Sequence, residues 1–524
     1  MARTSKGNGN GNGNGNGRRL TSQQSVNGAV KSICDIMRRS NCAGALQYVP
    51  ELTWILFLRI LDEREQRETE EAEAVGAEFT SSLEAPYRWR DWADPGGPKR
   101  RDLGAATLGA MFSFVHEELL PHLKLLKDKP GATPRQKVIS EIMSGVERTR
   151  IDTEKNFLDV LDRVHDLSNQ NMDPTHVFPL SQVYEGLLLK MGEKGNDGGQ
   201  FFTPREIIRA MVRIVDPKVG ETVYDPGCGT GGFLAQAFEH MAGSGNARIT
   251  SAEQLETLKH RTFYGREKDN AIYPIALANL ILHNIDEPHI LHGNTLTGQV
   301  TYDGLFADAP PLFDVILMNP PFGGKEGKEA QTRFAYKTGA TQVLFLQHVI
   351  DSLKPGGRCG IVLDEGVLFR TNENAFVSTK RKLLDECDLF CIVSLPPGTF
   401  VNAGAGVKTN LLFFTRGRPT ERIWYYDLST IKVGKKTPLT LGHFEECLRL
   451  LPDRADSERS WTVPRRDIET KGYDFKAVNP NAPIQEDRRT PEELLDLIEA
   501  KGREVANAVA ALRALRRAAD TAES

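Results

Sequence analysis

Asn319, Pro320, Pro321 and Phe322 follow the apolar run DVILM and combine groups that a packed turn does not need. The two prolines fix φ and remove two backbone donors. What remains is a rigid ledge of carbonyls and the Asn319 amide, with the flat face of Phe322 beside it. Such a ledge suits a planar NH2 group. An amine conjugated to a ring or carbonyl is a poor nucleophile. Two acceptors on its hydrogens favour pyramidalisation and stabilise the positive charge that develops as it takes up a methyl group. No general base is required, because the alkylated ammonium is acidic enough to lose its proton to water or to those acceptors.

A second cluster lies upstream in VYDPGCGTGGFL, where Asp225 ends an apolar run and Gly227, Gly229, Thr230, Gly231 and Gly232 form a small-residue turn into a helix. Gly227, Gly229 and Gly232 satisfy GxGxxG, a spacing that NAD, FAD and S-adenosylmethionine sites all exploit because missing Cβ atoms let a ligand lie against the main chain. Glu267 in YGREKD ends the next expected strand, where a carboxylate can accept both ribose hydroxyls. It comes later than the roughly 20-residue spacing of a dinucleotide fold, because an insertion around residues 242–250 and a further helix intervene. A surface glutamate is the bland alternative. Asn294 in HGNTL is placed to bond a cofactor adenine, or simply to close an Asn turn. No nicotinamide chemistry needs Asn-Pro-Pro-Phe after a buried strand. His348, at helical spacing beside Phe345 and Leu346, reads as a packed histidine and not as a base.

The elements that must position these groups alternate. From about residue 175 to 420, short runs (ETVYD, RTFYGRE, DVILMNPPF, GRCGIVL, LFCIVSLP, TNLLFFT) alternate with helical stretches, the signature of a doubly wound α/β sheet. Residues 21–170 carry helical periodicity in LTWILFLRILDERE and LDVLDRVHDL, and predict an α-helical amino-terminal domain. The loop between these runs holds Tyr87, Trp89 and Trp92, which read as anchors of the loop before they read as nucleic-acid contacts. The GN repeat within residues 1–20 predicts a flexible tail, and residues 421–524 read as a polar linker and a final assembly helix. In that helix Thr490, Pro491 and Glu493 make a capping-box start, and Leu494, Ile498, Val505, Ala508, Leu512 and Leu515 recur near heptad spacing.

Composition bounds the partners. The chain has 524 residues, 40% hydrophobic and 26% charged, with a formal net charge of -4. A uniformly basic nucleic-acid coat is excluded, and any DNA grip must be local or borrowed. Seven scattered cysteines without a paired CxxC indicate neither a disulfide framework nor a metal site, and Cys387 and Cys391 read as small buried hydrophobes. LTWILFL ends at Arg59, far short of a membrane span, and the amino terminus lacks an apolar leader core, so a reducing cytoplasm is expected.

NPPF, DPGCGTGGF and the preceding GQFFTPREIIRAMV together resemble the amino-methylating DNA adenine methyltransferases, in the motif order of their gamma class. LTWILFLRILDERE, VYEGLLLKMGEKGNDGGQFFTPREI, FLQHVIDSLKPGGRCGIVL and TNLLFFT are similar to the modification (M) subunit of type I restriction-modification systems. The resemblance runs from about residue 25 to 415. It implies a seven-stranded S-adenosylmethionine-dependent methyltransferase domain that transfers methyl to adenine N6. Carried over, it implies that Gln200, Phe201, Phe202, Thr203, Pro204, Arg205, Thr230, Gly231, Gly232 and Glu267 bind S-adenosyl-L-methionine, while Asn319 to Phe322 hold the target adenine. Gly227 stands where relatives usually have Ala, and Leu363-Asp364-Glu365 where a proline-containing turn is more usual.

Only residues 417–524 follow the last expected strand, too little for a recognition domain, so the DNA sequence is expected to be read by another chain. The resemblance implies the same: double-stranded DNA, two M subunits flanking one specificity (S) subunit, and a restriction (R) subunit as partners. Two rivals remain at this level: an amino methyltransferase acting on RNA or protein glutamine, and an idle assembly subunit.

Overall fold

The computed structural model describes residues 23–42, 44–167, 203–400, 408–434, 437–476, 478–481 and 490–522. Its strands are β1 Val223–Asp225, β2 Phe263–Glu267, β3 His289–Gly293, β4 Val300–Tyr302, β5 Phe313–Met318, β6 Leu353–Asp364, β7 Cys387–Ser394, β8 Thr409–Arg416, β9 Arg422–Asp427 and β10 Ser460–Pro464. They form one sheet of order β10-β9-β7-β8-β6-β5-β1-β2-β3-β4. The inner seven, β3-β2-β1-β5-β6-β8-β7, are the expected mixed sheet, in which β8 alone runs antiparallel to both neighbours. Three further strands extend it to ten: β4 lies antiparallel on β3, β9 parallel on β7 and β10 antiparallel on β9.

The two outer strands correct the reading of residues from 421 onward as linker. Trp424, Tyr425 and Tyr426 of β9 are fully buried, as is Phe444 beyond it, and Tyr425 Oη donates to the Phe475 carbonyl at 3.0 Å. The sheet therefore continues for some fifty residues past the last strand read from the sequence, and aromatic burial at its edge holds those residues in place.

The helices are numbered here as α1 Gln23–Arg38, α2 Ala45–Ala74, α3 Pro134–Met143, α4 Glu154–His165, α5 Arg205–Val215, α6 Gly232–Ala242, α7 Ile272–Leu282, α8 Thr341–Ser352, α9 Asn374–Glu386 and α10 Pro491–Ala522. α5 shows why the sheet is covered where it is. Ile207, Ile208, Met211, Val212, Ile214 and Val215 make one buried stripe, whereas Arg213 is exposed. The stripe settles closely on β6 because Gly360 has no side chain there: a Cβ would meet Val215 Cγ2 at 3.0 Å.

Among the described residues before β1, every regular element is helical. α2 is apolar around much of its girth from Leu52 to Leu61 and is buried accordingly. Trp89 and Trp92 are also buried, and Trp89 Nε1 bonds His165 Nδ1 at 3.3 Å, so the aromatics of this loop act as anchors. All seven cysteines are buried, Cys387 and Cys391 as apolar members of β7. Among the described residues no helix is long and apolar enough to cross a membrane.

By its internal packing the chain divides after Asn479. The second unit carries α10, whose capping box is formed: Thr490 N donates to Glu493 Oε2 at 2.8 Å and Glu493 N to Thr490 Oγ1 at 3.2 Å. Leu495, Ile498, Val505 and Leu512 on it are each more than 60% exposed.

Candidate active site

The strand order reverses direction between β1 and β5, and a cleft of about 340 Å³ opens there at the carboxyl ends of the strands. Four adjacent parallel strands deliver its polar groups: Asp225 from β1, Glu267 from β2, Asn294 just past β3 and Asn319 just past β5.

The glycine-rich turn holds its shape through two left-handed residues, Gly229 (φ 54°) and Gly231 (φ 79°), a conformation that L side chains rarely adopt. Its backbone is fixed on three sides. Cys228 N donates to the Arg266 carbonyl at 2.9 Å, Gly229 N to Glu267 Oε2 at 2.9 Å, and Asn279 Nδ2 on α7 to the Thr230 carbonyl at 2.9 Å. Gly227 sits under Met318 and Phe345, where a Cβ would come within 3.1 Å of the flexible Met318 methyl, so the alanine usual in relatives needs only a small shift. At the other departure, Asp364 caps a short helix by accepting from Val367 N at 2.9 Å, which does the turn's work without proline.

Glu267 accepts backbone N–H bonds on both oxygens, from Gly229 and, at 2.8 Å, from Asp269. Burial nevertheless pushes its carboxyl up to about 7, against those two bonds. Asp225 is pushed up to about 8, first by burial and then by the nearby charge of Glu267, with the Gly227 N–H opposing. Two buried carboxylates thus line one cleft with no cation paired to either among the described residues, a setting that favours a positively charged occupant. Asn294 closes an Asn turn, its Oδ1 accepting from Leu296 N and Thr297 N, and the residue also lines the cleft.

At the ledge, Asn319 Nδ2 donates to Thr203 Oγ1 at 3.0 Å, while Asn319 Oδ1 is buried and accepts from nothing among the described residues. Pro321 and Phe322 line the same cleft, as do Lys325, Glu326, Thr341 and Phe345. Phe322 meets Phe400 edge to face, with centroids 5.3 Å apart. His348 is half-buried behind the sheet, 3.2 Å from Tyr224 Oη, and desolvation and the Arg266 and Arg333 charges drive it down to about 3, so it stays neutral and packed.

The structure gathers Thr203, Asp225, Gly227, Gly229, Thr230, Gly232, Glu267, Asn294, Asn319, Pro321 and Phe322 around one cleft. It sets others apart. Pro204 caps α5, Arg205 approaches Glu239 of α6 at 3.8 Å, Gly231 serves the turn, and Pro320 is buried behind the ledge. Gln200, Phe201 and Phe202 lie outside the described residues. Sequence reasoning missed Thr341, Phe345 and Phe400. Phe345 had a signal, its place in FLQHV facing the expected sheet; Phe400 had none, since only folding brings it to Phe322.

A doubly wound sheet with a glycine-rich turn, an acidic residue on the next strand and an Asn-Pro-Pro-Phe ledge beyond β5 has the frame of a methyltransferase. Residues 176–489 match the N-6 DNA Methylase family and residues 26–159 the HsdM N-terminal domain. The chain is 33% identical to the type I restriction enzyme EcoEI methylase subunit of Escherichia coli, covering 87% of this chain and 90% of that one. It is 29% identical to the EcoKI methylase subunit of Escherichia coli K12, covering 83% and 79%. Among solved structures, a chain of a type I R-M system superposes with a TM-score of 0.71 at 36% identity, covering 94% of this chain and 99% of that one. A modification subunit from Vibrio vulnificus YJ016 superposes with a TM-score of 0.74 at 32% identity, covering 88% and 98%. The chain belongs to the N-6 DNA methylase family as a type I modification subunit, an adenine-specific DNA methyltransferase.

Proposed function

We propose that the cleft binds S-adenosyl-L-methionine along the glycine-rich turn and places it against the amino group of an adenine flipped out of double-stranded DNA. The donor set fits the cofactor. Glu267 and Asp225 supply carboxylates to hydroxyl and cationic groups, the Gly227 to Thr230 backbone permits close approach, and Asn294 stands where an adenine edge would lie. Bound there, the cofactor supplies an electrophilic methyl group. The chain's own residues do the rest. Asn319 Oδ1 accepts from N6, the ledge's rigid backbone fixes the amine's direction, and Phe322 stacks on the base that cannot be reached inside the helix. As charge develops on N6 these acceptors stabilise it, and the proton leaves to solvent.

The single observation that carries this reading is the buried, unpartnered Asn319 Oδ1 in the same cleft as Glu267. A buried acceptor without a partner costs about 1–3 kcal/mol unless a ligand's donor satisfies it. Target choice is assigned to a specificity subunit, with two modification subunits flanking it and a restriction subunit joining for cleavage. The solved type I R-M relative, a chain of a system that assembles into a complex, supports a role within a larger assembly. Asn319→Ala should abolish labelled-methyl transfer in the presence of the specificity subunit and leave cofactor affinity by calorimetry nearly intact. Transfer within a few-fold of wild type would remove the assignment.

A further inference from the structure

We propose that Thr203 is a positioning residue for Asn319, and that its hydroxyl serves the amine ledge. The inference rests on the methyltransferase reading and concerns how its central acceptor is held.

An asparagine amide has two ends of similar shape and opposite chemistry, an acceptor oxygen and an NH2 with two donors. Offering Oδ1 to an incoming amine leaves Nδ2 facing the protein, and a buried N–H without an acceptor is costly. Thr203 Oγ1 is that acceptor, 3.0 Å from Nδ2. With the nitrogen end satisfied, the oxygen end is the one without a partner, as observed. If the amide turned over, it would present N–H groups to the N6 hydrogens, donor against donor.

The hydroxyl is held by rigid structure. Pro204 follows Thr203 and restricts it to extended backbone. The Pro204 carbonyl then accepts from Ile207 N at 2.9 Å and Ile208 N at 3.2 Å, which locks the residue onto the first turn of α5. α5 in turn is fixed by its buried stripe and by Leu441 N donating to Glu206 Oε2 at 2.8 Å. Thr203 therefore faces the end of β5 from an element that the sheet itself positions. Its partner lies 116 residues away in sequence, so the pairing cannot be read from the motif that contains Thr203.

Four variants of the full chain, assayed with the specificity subunit on unmethylated DNA, separate this role from cofactor binding. Thr203→Val keeps shape and removes the acceptor; it should lower kcat on the order of 10-fold or more, with melting temperature and cofactor Kd within about twofold. Thr203→Ser restores a hydroxyl and should recover kcat to within about threefold. Asn319→Ala should be inactive by itself, and adding Thr203→Val to it should leave the remaining cofactor affinity unchanged. A valine variant with wild-type kcat overturns the inference and leaves the function standing if Asn319→Ala is dead. A valine variant whose cofactor Kd weakens as much as its kcat falls also overturns it, in favour of a cofactor ligand. An active Asn319→Ala overturns the functional reading itself.

Discussion

Cofactor binding should be linked to protons, and the two buried carboxylates set the direction. Burial raises Glu267 from an ordinary 4.5 to about 7 and Asp225 from 3.8 to about 8. Between each ordinary value and its raised one, the folded chain holds a proton that the unfolded chain has released. These groups therefore contribute stability below about pH 4 that is lost as pH rises to 7 for Glu267 and 8 for Asp225. A cationic sulfonium ligand reverses the preference, because it favours the carboxylate form. Binding should thus release protons below pH 7, and affinity should climb by up to about tenfold per pH unit for each proton released, then flatten above pH 8. Calorimetry in two buffers of different ionisation enthalpy counts the protons directly, over a range on the order of pH 5.5 to 8.5 that brackets both raised values. Glu267→Gln should abolish the rise through pH 7 and weaken binding by about 1.5–3 kcal/mol, the range for hydrogen bonds to a charged group. The uncharged thioether product should show a shallower slope than the sulfonium substrate. A pH-independent affinity, or proton uptake on binding, would refute the reasoning.

Phe322→Ala should lose about 1–3 kcal/mol of base stacking, with Tyr or Trp losing less, read as DNA affinity and as 2-aminopurine brightening at the target position; an equally bright alanine variant would count against stacking. Lys325, Lys328, Arg333 and Lys337, on the segment that follows the ledge, form no ion pair or side-chain hydrogen bond among the described residues. Changing Lys328, Arg333 and Lys337, the three of these outside the cleft, to Gln should lower the slope of log affinity against log salt by up to about 0.9 for each phosphate that is no longer neutralised, with cofactor affinity unchanged; an unaltered slope would place the phosphates elsewhere. Truncation after residue 488 removes α10 and should abolish pull-down of the specificity subunit while cofactor binding persists, since Leu495, Ile498, Val505 and Leu512 are left exposed to contribute about 1.5–3 kcal/mol each, before ordering costs.

How much of the fold and the site was legible in the sequence follows from how local each feature is. The ledge and the glycine-rich turn are contiguous, so their chemistry is written in adjacent letters. Their strands announce themselves as apolar runs that end in a polar residue at the cleft. β9 and β10 were not legible. Each is five or six residues long, a helical and polar stretch separates them, and their apolar side chains pack against strands far away in sequence. Thr203 and Phe400 show the same limit within the site. Their types were visible, and in the case of Thr203 a motif was too, but the partners that give them a role arrive from distant strands. Asn294 was legible as an Asn turn, and the structure forms that turn at the edge of the cleft.

The helical region before β1 is tied to the chemistry through one shared helix. α7 supports the glycine-rich turn at its middle, where Asn279 Nδ2 holds the Thr230 carbonyl and Leu280 fills the space beside Gly231. At its carboxyl end the same helix receives the helical region: Arg64 of α2 reaches the Ile281 carbonyl at 3.4 Å and pairs with Asp286 just beyond. The Arg64 and Asp286 side chains are 8% and 9% exposed, and Arg135 of α3 adds a second cation, bound to Glu68 at 2.7 Å and within 3.5 Å of Glu65. Buried charges in such a network are costly to strand, since removing one partner of a buried pair typically destabilises by about 3–5 kcal/mol. The pairing is therefore specific about where α2 sits on α7. α7 spans only eleven residues, and its contact with Arg64 at Ile281 lies within one helical turn of the Asn279 side chain that holds the glycine-rich turn. The amino-terminal helices thus act as part of the frame that holds the Thr230 carbonyl in place.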